Sequence, residues 1–357
     1  MIVVEIGELS EQCAKLLDKL DTKYEFLHLY MHDMEKHVQS FSNNRLLFAL
    51  HLKEFGVNIQ IESLIEKLAI LHRENPNLFE GSIGGVFISS EEEDYTKQIA
   101  STLVYRLNKM GLRFVGRPIV EAPANLQNFL GQSERSKKTL EESLEWELSG
   151  MLARMNALFA SRKKVLRGDL KKKIVALHSS NEYSNTLALW KIVKKELDSH
   201  YIIEEIAIKN GDISDCRACG YKACKTFGMS DSCYYEGKMV DEIYPAISET
   251  DILLLICPNY NDALSANMTA MINRMTALFR KQKFYDKMLY AIIVSGSSGN
   301  EVLASQLIRA LSMNKTFQLP PEFSLSAIAN ARGAIYQVPG IEQKAKLFAE
   351  KIIAHNL

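Results

Sequence analysis

No sign of charge dominates this chain: 43 Lys and Arg residues stand against 43 Asp and Glu. No overall field therefore draws it to nucleic acid or to an anionic membrane surface. Long apolar runs are missing too, and none reaches the roughly 20 residues that a membrane-spanning helix needs. The opening Met1-Ile2-Val3-Val4-Glu5 lacks the basic start and extended apolar core of a secretory leader, so a reducing, cytoplasmic setting is expected. No Gly-x-Gly-x-x-Gly follows a strand and no P-loop occurs, which excludes a Rossmann pyrophosphate turn and a triphosphate cradle. Neither His-Glu-x-x-His nor a nucleophile elbow is present, nor can a Ser-His-Asp set be assembled. His28, His32 and His37 read as structural or surface residues.

What the chain does have is a series of buried strands followed by polar loops. The unbroken apolar run Ile252-Leu253-Leu254-Leu255-Ile256 predicts a parallel strand covered on both faces. Ligands of doubly wound sheets sit beyond the carboxyl ends of such strands. The loop that follows contains Pro258, Asn259, Tyr260 and Asn261, which offer a fixed backbone, amides, a ring and a hydroxyl to a planar heterocycle. Ser265 is placed to cap the next helix, whose apolar face is Met268, Met271, Ile272, Met275, Leu278 and Phe279. A second strand, Ile174-Val175-Ala176-Leu177, leads through His178 and Ser179 to Ser184, Asn185 and Thr186. There a helix lined by Leu187, Trp190, Val193 and Leu197 begins, and its free N–H groups can seat a phosphate without a basic side chain. A third strand, Tyr290-Ala291-Ile292-Ile293-Val294, ends in Ser295-Gly296-Ser297-Ser298-Gly299, where two glycines permit close approach of backbone to ligand.

These three loops, in this order, resemble the flavodoxin-like NADPH-dependent FMN reductase family, which includes the iron–sulfur flavoproteins. The resemblance runs from about residue 172 to 317. The family's first loop reads approximately Gly-Ser-x-Arg-x-x-Gly-Asn-Thr, so Ser179, Ser184, Asn185 and Thr186 fall on its phosphate positions, while His178 replaces a glycine and Asn181 a frequent arginine. Its second signature, a strand followed by Pro-x-Tyr and a Ser-capped helix, is matched by Pro258, Tyr260 and Ser265. The resemblance implies FMN as cofactor and NADPH or NADH as co-substrate. Pro258, Asn259, Tyr260 and Asn261 on one side, with Ser295, Gly296 and Gly299 on the other, would flank the flavin ring.

Four of the six cysteines crowd into one segment, Cys216, Cys219, Cys224 and Cys233. In a reducing compartment disulfides are disfavoured. The second Cys-x2-Cys knuckle of a zinc ribbon is missing, which favours a cubane over zinc among metals. A [4Fe–4S] cluster, zinc and free or redox-active thiols all stay open. Tyr221, Phe227, Tyr234 and Tyr235 interleave with the cysteines, either as walls of a flavin or substrate site or as cover for the loop's own small core.

At 357 residues and 47% hydrophobic content, the chain can build two cores. Residues 1–125 repeat the pattern, with strands expected at 2–6, 24–30, 46–52, 85–89 and 113–120. Gly85 to Ser90 match Ala291 to Gly296 in character, and Ile99, Leu103 and Leu107 match Leu303, Leu307 and Leu311. The expected fold class is therefore α/β: a flavodoxin-like, doubly wound, parallel five-stranded sheet, duplicated. A degenerate copy at 1–125 joins an FMN-binding copy at 171–357 through a helical segment at 126–170. Glu8 and Glu11 in the first copy's opening turn would repel a phosphate. Because reductases of this family pair across their flavin sites, the first copy is expected to serve as a built-in partner for the second. Pro320-Pro321 is expected to break the chain after the last strand region, and residues 343–354 to form a closing helix.

The expected activity is FMN-dependent NAD(P)H oxidation, with electrons passed to a small-molecule or protein acceptor. Two alternatives are an iron–sulfur flavoprotein that relays electrons to a protein partner and a scaffold that has lost redox activity. No nucleic-acid or membrane partner is expected, and an oligomer is compatible with the resemblance.

Overall fold

The computed structural model describes residues 1–30, 32–161, 171–179 and 184–355. The chain divides into two compact units, Met1–Val165 and Leu166–Leu357.

In the first unit, strands β1 (Ile2–Ile6), β2 (Leu27–Tyr30), β3 (Arg45–Leu52), β4 (Ile83–Ser90) and β5 (Arg113–Ala122) form one all-parallel sheet in the order β2-β1-β3-β4-β5. Helices α1 (Glu11–Tyr24), α2 (Gln60–Glu74) and α3 (Thr96–Lys109) make the crossovers, followed by α4 (Leu130–Ser136) and α5 (Leu140–Ser161). The last part of the helical segment expected at 126–170, residues 162–170, lies outside the described residues. The strand expected from Tyr24 begins only at Leu27. Tyr24 instead completes the buried stripe Cys13, Leu17, Leu20 and Tyr24, whose 4-3-4 spacing is helical, and Glu25 at φ 51° ends the helix. Helix α5 lays Leu144, Leu148, Met151, Leu152 and Met155 into this unit's core. The Tyr24 hydroxyl donates to the Ser149 carbonyl at 3.1 Å, tying α1 to the same helix.

The second unit repeats the topology. Strands β6 (Lys173–His178), β7 (Ile202–Ala207), β8 (Ile252–Pro258), β9 (Met288–Ser295) and β10 (Ser324–Ile328) pair in parallel in the order β10-β9-β8-β6-β7. Counted along each unit, both orders are 2-1-3-4-5. The internal correspondence seen in sequence holds, since β4 and β9 are the fourth strands of their sheets. Helices α6 (Asn185–Leu197), α7 (Tyr221–Met229), α8 (Tyr244–Glu249), α9 (Ala266–Lys281), α10 (Asn300–Leu307) and α11 (Ile341–Ala354) cover the faces, with π-helical turns at Met239–Ile243 and Ile308–Met313. Pro320 and Pro321 do not end the sheet: they precede β10, which pairs with β9 along its whole length. One core face gathers Trp190 from α6, Leu254 from β8, Tyr290 from β9, and Phe348 and Ile352 from α11.

Among the described residues no helix is long and apolar enough to cross a membrane.

Candidate functional site

In a 2-1-3-4-5 sheet the connections from the first and third strands leave toward opposite faces, so their loops part and open a crevice. Here that crevice lies between the ends of β6 and β8. Ser179 and Ser265 bridge it, Oγ to Oγ at 2.7 Å, while Ser265 also caps α9 by accepting from the Met268 N–H. A cavity of about 900 Å³ opens at this point, lined by His178, Ser179, Tyr260, Ser265, Asn267 and Lys209 among others. Ser179 and Tyr260 are residues to which the sequence points. Lys209 and Asn210 are not, because they follow β7, whose end reaches the site only through the sheet order. Asn181 lies outside the described residues.

The three residues read as a phosphate seat divide into different tasks. Ser184 Oγ accepts from the Thr186 and Leu187 N–H groups at 3.2 and 3.5 Å, which leaves its hydroxyl hydrogen available as a donor. The side chain of Asn185 is spent within the fold. It donates to the Ala329 and Ala331 carbonyls at 3.0 and 2.8 Å and accepts from the Ile335 N–H at 3.4 Å, pinning α6 to the segment after β10. Thr186 is buried at 2% exposure.

The loop after β8 is a tight turn. Asn261 and Asp262 both take positive φ, 51° and 57°, and Tyr260 and Ala263 exchange backbone hydrogen bonds of 3.2 and 3.1 Å around them. Paired positive φ angles are what a type I′ turn demands, and Asn and Asp tolerate them best among residues with side chains. Asn259 then ties this turn to the loop after β9, its amide donating to Ser295 Oγ at 2.9 Å, the Ser298 carbonyl at 3.1 Å and Asp262 Oδ1 at 3.2 Å. Ser295 is 1% exposed and also donates to Asn300 Oδ1 at 2.6 Å. Pro258, Asn259, Asn261, Ser295, Gly296 and Gly299 do not line the 900 Å³ cavity themselves. They build the loop pair that presents Tyr260, which is 54% exposed.

His178, the residue in place of a glycine, is 6% exposed and stands 3.6 Å from Glu205 of the neighbouring strand. Burial works against ionisation of Glu205. The Trp190 indole, donating at 2.8 Å, together with Lys194 and His178, more than offsets it and holds the carboxyl below the usual range. This chain therefore places an ionised carboxylate, Glu205, beside the expected phosphate loop.

At the equivalent edge of the first unit, polar side chains meet one another. Ser10 caps α1 and approaches Ser89 Oγ at 3.4 Å, Ser89 meets His51 Nδ1 at 2.9 Å, and His51 Nε2 faces Glu91 at 3.7 Å. This serine-histidine-acid row has no counterpart in any local sequence motif, since 38 residues separate Ser89 from His51. Ser89 is 3% exposed while Glu91 is open to solvent, so the row runs from a buried hydroxyl to the surface.

Cys216, Cys219, Cys224 and Cys233 come together around a second cavity, of about 170 Å³, which Phe227, Tyr234, Tyr235, Arg274 and Arg280 also line. Among the described residues no group of three or more His, Cys, Asp or Glu side chains is disposed to hold a metal ion. His28, one of the three histidines set aside in the sequence, is bonded to Glu5 at 2.5 Å.

Lys315 lies close by, with its Nζ 3.0 Å from Thr276 Oγ1. Burial first, then the charges of Arg280 and Lys283, push its ammonium down to about 8, against the opposing influence of Cys216 and Cys224. This value lies below that of a free lysine, so between about pH 8 and pH 10 unfolding takes up a proton and stability rises with pH. The cost of burying the charge is full at pH 7 and fades through that window. Lys315→Met should therefore stabilise the protein by roughly 2 kcal/mol at pH 7, with the gain shrinking toward pH 10. Urea melts at the two pH values check this, and a gain independent of pH would refute it.

The profile of the family described as NADPH-dependent FMN reductase matches residues 172–330, within the second unit. No curated protein matches the chain. Among solved structures, RosB with a bound 8-demethyl-8-formylriboflavin-5'-phosphate intermediate is 13% identical, covering 52% of this chain and 79% of its own, with a TM-score of 0.41. An azoreductase from Bacillus anthracis str. Sterne is 11% identical over 52% of this chain and 98% of its own, with a TM-score of 0.38. An NAD(P)H:quinone oxidoreductase from Methanothermobacter marburgensis is 11% identical over 51% and 96%, also with a TM-score of 0.38.

Proposed function

We propose that the second unit binds FMN in the crevice between β6 and β8 and oxidises NADPH or NADH, passing the electrons to a small-molecule or protein acceptor. The observation that carries this reading is the 900 Å³ cavity at the switch point, where the phosphate loop and the Pro-x-Tyr loop meet through Ser179 and Ser265. The donor set fits the cofactor. Ser184 and Ser179 offer hydroxyls at the positive end of α6, and Lys209 adds a cation for the phosphate, while Tyr260 offers a ring face to the isoalloxazine. Bound FMN would supply a two-electron acceptor at its own N5, and the polypeptide's task is to orient donor and acceptor and to exclude water. Asn185 and Asn259 act here by fixing the two loops.

Titrating the flavin-free protein with FMN, read by quenching of flavin fluorescence, tests this. Tyr260→Ala should weaken binding about tenfold, or ~1.4 kcal/mol, at unchanged stability, because the ring is largely exposed. Protein that stays colourless and fails to bind added FMN would end the proposal.

A second reading is favoured by the cysteine cavity: a [4Fe–4S] cluster that relays single electrons between the flavin and a protein partner. Four thiols and no carboxylate line it. Cys216, Cys219, Cys224 and Cys233 would be its ligands and would supply one-electron chemistry. Iron and acid-labile sulfide assays on protein purified without oxygen separate this reading from a simple flavin reductase.

A further inference from the structure

Among the described residues no carboxylate lines the cysteine cavity, although two guanidinium groups do. One is that of Arg274, which is 3% exposed. A terminal nitrogen of this side chain donates to the Glu236 carbonyl at 2.9 Å, while its Nε–H is buried with no acceptor among the described residues. Arg280, on the next turn but one of α9, lies over the Tyr221 ring at 4.6 Å, and its Nε–H is likewise buried without an acceptor. Lys315 adds a third cation behind the wall, since the Thr276 hydroxyl that it meets at 3.0 Å belongs to the lining. Among the described residues, none of the ion pairs of this unit includes any of the three. Cations buried without a counter-charge are costly, so the cavity suits an anion that the chain itself does not supply.

The remaining walls are largely apolar. Phe227, Tyr234 and Tyr235 pack edge to face, with ring centroids 5.6 and 5.1 Å apart, and Phe227 and Tyr234 stay 38% and 65% exposed. Large rings left open beside a cavity that also holds a few polar groups mark a ligand site. The volume of about 170 Å³ compares with the roughly 150 Å³ of an apolar cavity that takes up benzene, so one ring with a small substituent fits. The cysteine sulfurs are polarisable neighbours suited to ring edges.

We propose that this cavity binds a small aromatic carboxylate, a single ring bearing one carboxylate group. Arg274 and Arg280 answer its charge, and Phe227, Tyr234 and Tyr235 cover its ring. The planar guanidinium fork matches a carboxylate, whereas a bare inorganic anion would leave the rings uncovered. No residue lines both this cavity and the flavin crevice, so the site does not depend on FMN. A cluster on the four cysteines would fill the same space, and the two occupants exclude each other.

Calorimetric titration of the whole chain, thiols reduced, with benzoate, benzamide and acetate tests this, before and after addition of FMN. Benzoate should bind at least about tenfold tighter than benzamide, which lacks the charge, and than acetate, which lacks the ring. Addition of FMN should leave the benzoate affinity within about twofold. Arg274→Met and Arg280→Met should each weaken benzoate about tenfold or more while FMN binding is unchanged. Arg280 is only partly buried, so its variant decides the matter should the Arg274 variant fail to fold. Equal binding of benzoate and benzamide, or benzoate affinity unchanged in Arg280→Met, would overturn the assignment. Loss of benzoate binding on addition of FMN would also overturn it, by placing benzoate in the crevice. Iron and acid-labile sulfide retained by the wild-type protein would overturn it in favour of the cluster. Protein that binds benzoate in the expected pattern but no FMN would support this site and end the flavin reading, so the two fail separately.

Discussion

Alanine at Gly299 is expected to cost about 2 kcal/mol of stability and to weaken FMN binding several-fold. The residue sits at φ +89°, where a side chain is strained by roughly 1–2 kcal/mol before any contact is considered. An added Cβ would also overlap Asp262 Oδ1 and stand 3.0 Å from Asn259 Nδ2. Those two atoms belong to the turn that presents Tyr260, and Asn259 is the side chain that ties it to the loop after β9. The exposed Asp262 carboxylate can rotate away from the added atom, so the φ strain is the larger part of the cost, and the rotation breaks the contact between Asp262 and the Asn259 amide. Gly296→Ala is the control, since its Cβ would meet only Asn330, with Oδ1 nearest at 3.2 Å, and its φ is not positive; it should cost less than about 1 kcal/mol. Urea melts and flavin titrations of the two variants give the comparison, and equal behaviour would show that the loop pair does not hold the flavin.

The strands legible in the sequence are those covered on both faces. β6, β8 and β9 are continuous apolar runs because helices cover them above and below, and such runs carry their own signal. β7 and β10 carry none. β7 is an edge strand, Ile202–Ala207, with two glutamates and mostly exposed or half-buried positions, and β10 is a five-residue edge strand just after two prolines. The site shows the same division. Cap residues such as Ser184 and Ser265 are legible because a helix start is a local event. Asn185 has the right type and position for a phosphate ligand, yet its partners lie some 150 residues away at Ala329, Ala331 and Ile335. Lys209 reaches the cavity, and Arg274 the cysteines, only through sheet order and helix packing. His51 and Ser89 meet in the first unit for the same reason, as neighbouring strands deliver them to one edge.

Duplication of the fold thus comes with a division of chemistry. Both sheets run 2-1-3-4-5, so both present a switch point at the carboxyl ends of their first and third strands. In the first unit Ser10, Ser89, His51 and Glu91 meet one another at that edge. In the second a cavity opens around Ser179 and Tyr260. Glu91, Glu92 and Glu93 of the first unit accept from the backbone N–H groups of Glu54, Phe55 and Asn125, so donors that could have met an anion are met by carboxylates instead.

The cysteine cavity depends on a residue with no chemistry of its own. Gly228 lies near the end of α7, the helix that carries Cys224, and lets it approach α9 at closest contact. An added Cβ would overlap the Ala277 carbonyl oxygen and lie 3.0 Å from its carbon and 3.3 Å from Arg280 Cβ. A backbone carbonyl inside a helix cannot rotate away, so α7 itself must move. Gly228→Ala is accordingly expected to cost about 4 kcal/mol, at the upper end of the effects of overpacking, even though alanine is the better helix former. Because Cys224 rides on α7 while Arg274 and Arg280 ride on α9, lifting one from the other parts the walls of the cavity. The cysteine thiols should then react with a thiol reagent faster than in wild type, whereas FMN affinity should stay within about twofold of wild type, since Ser179, Ser184 and Tyr260 lie on other loops. Gly220→Ala, at the start of the same helix with nothing within 4 Å of the added atom, should leave both unchanged. Loss of flavin affinity together with thiol protection in the Gly228 variant would mean that the two sites fold as one unit and are not separable.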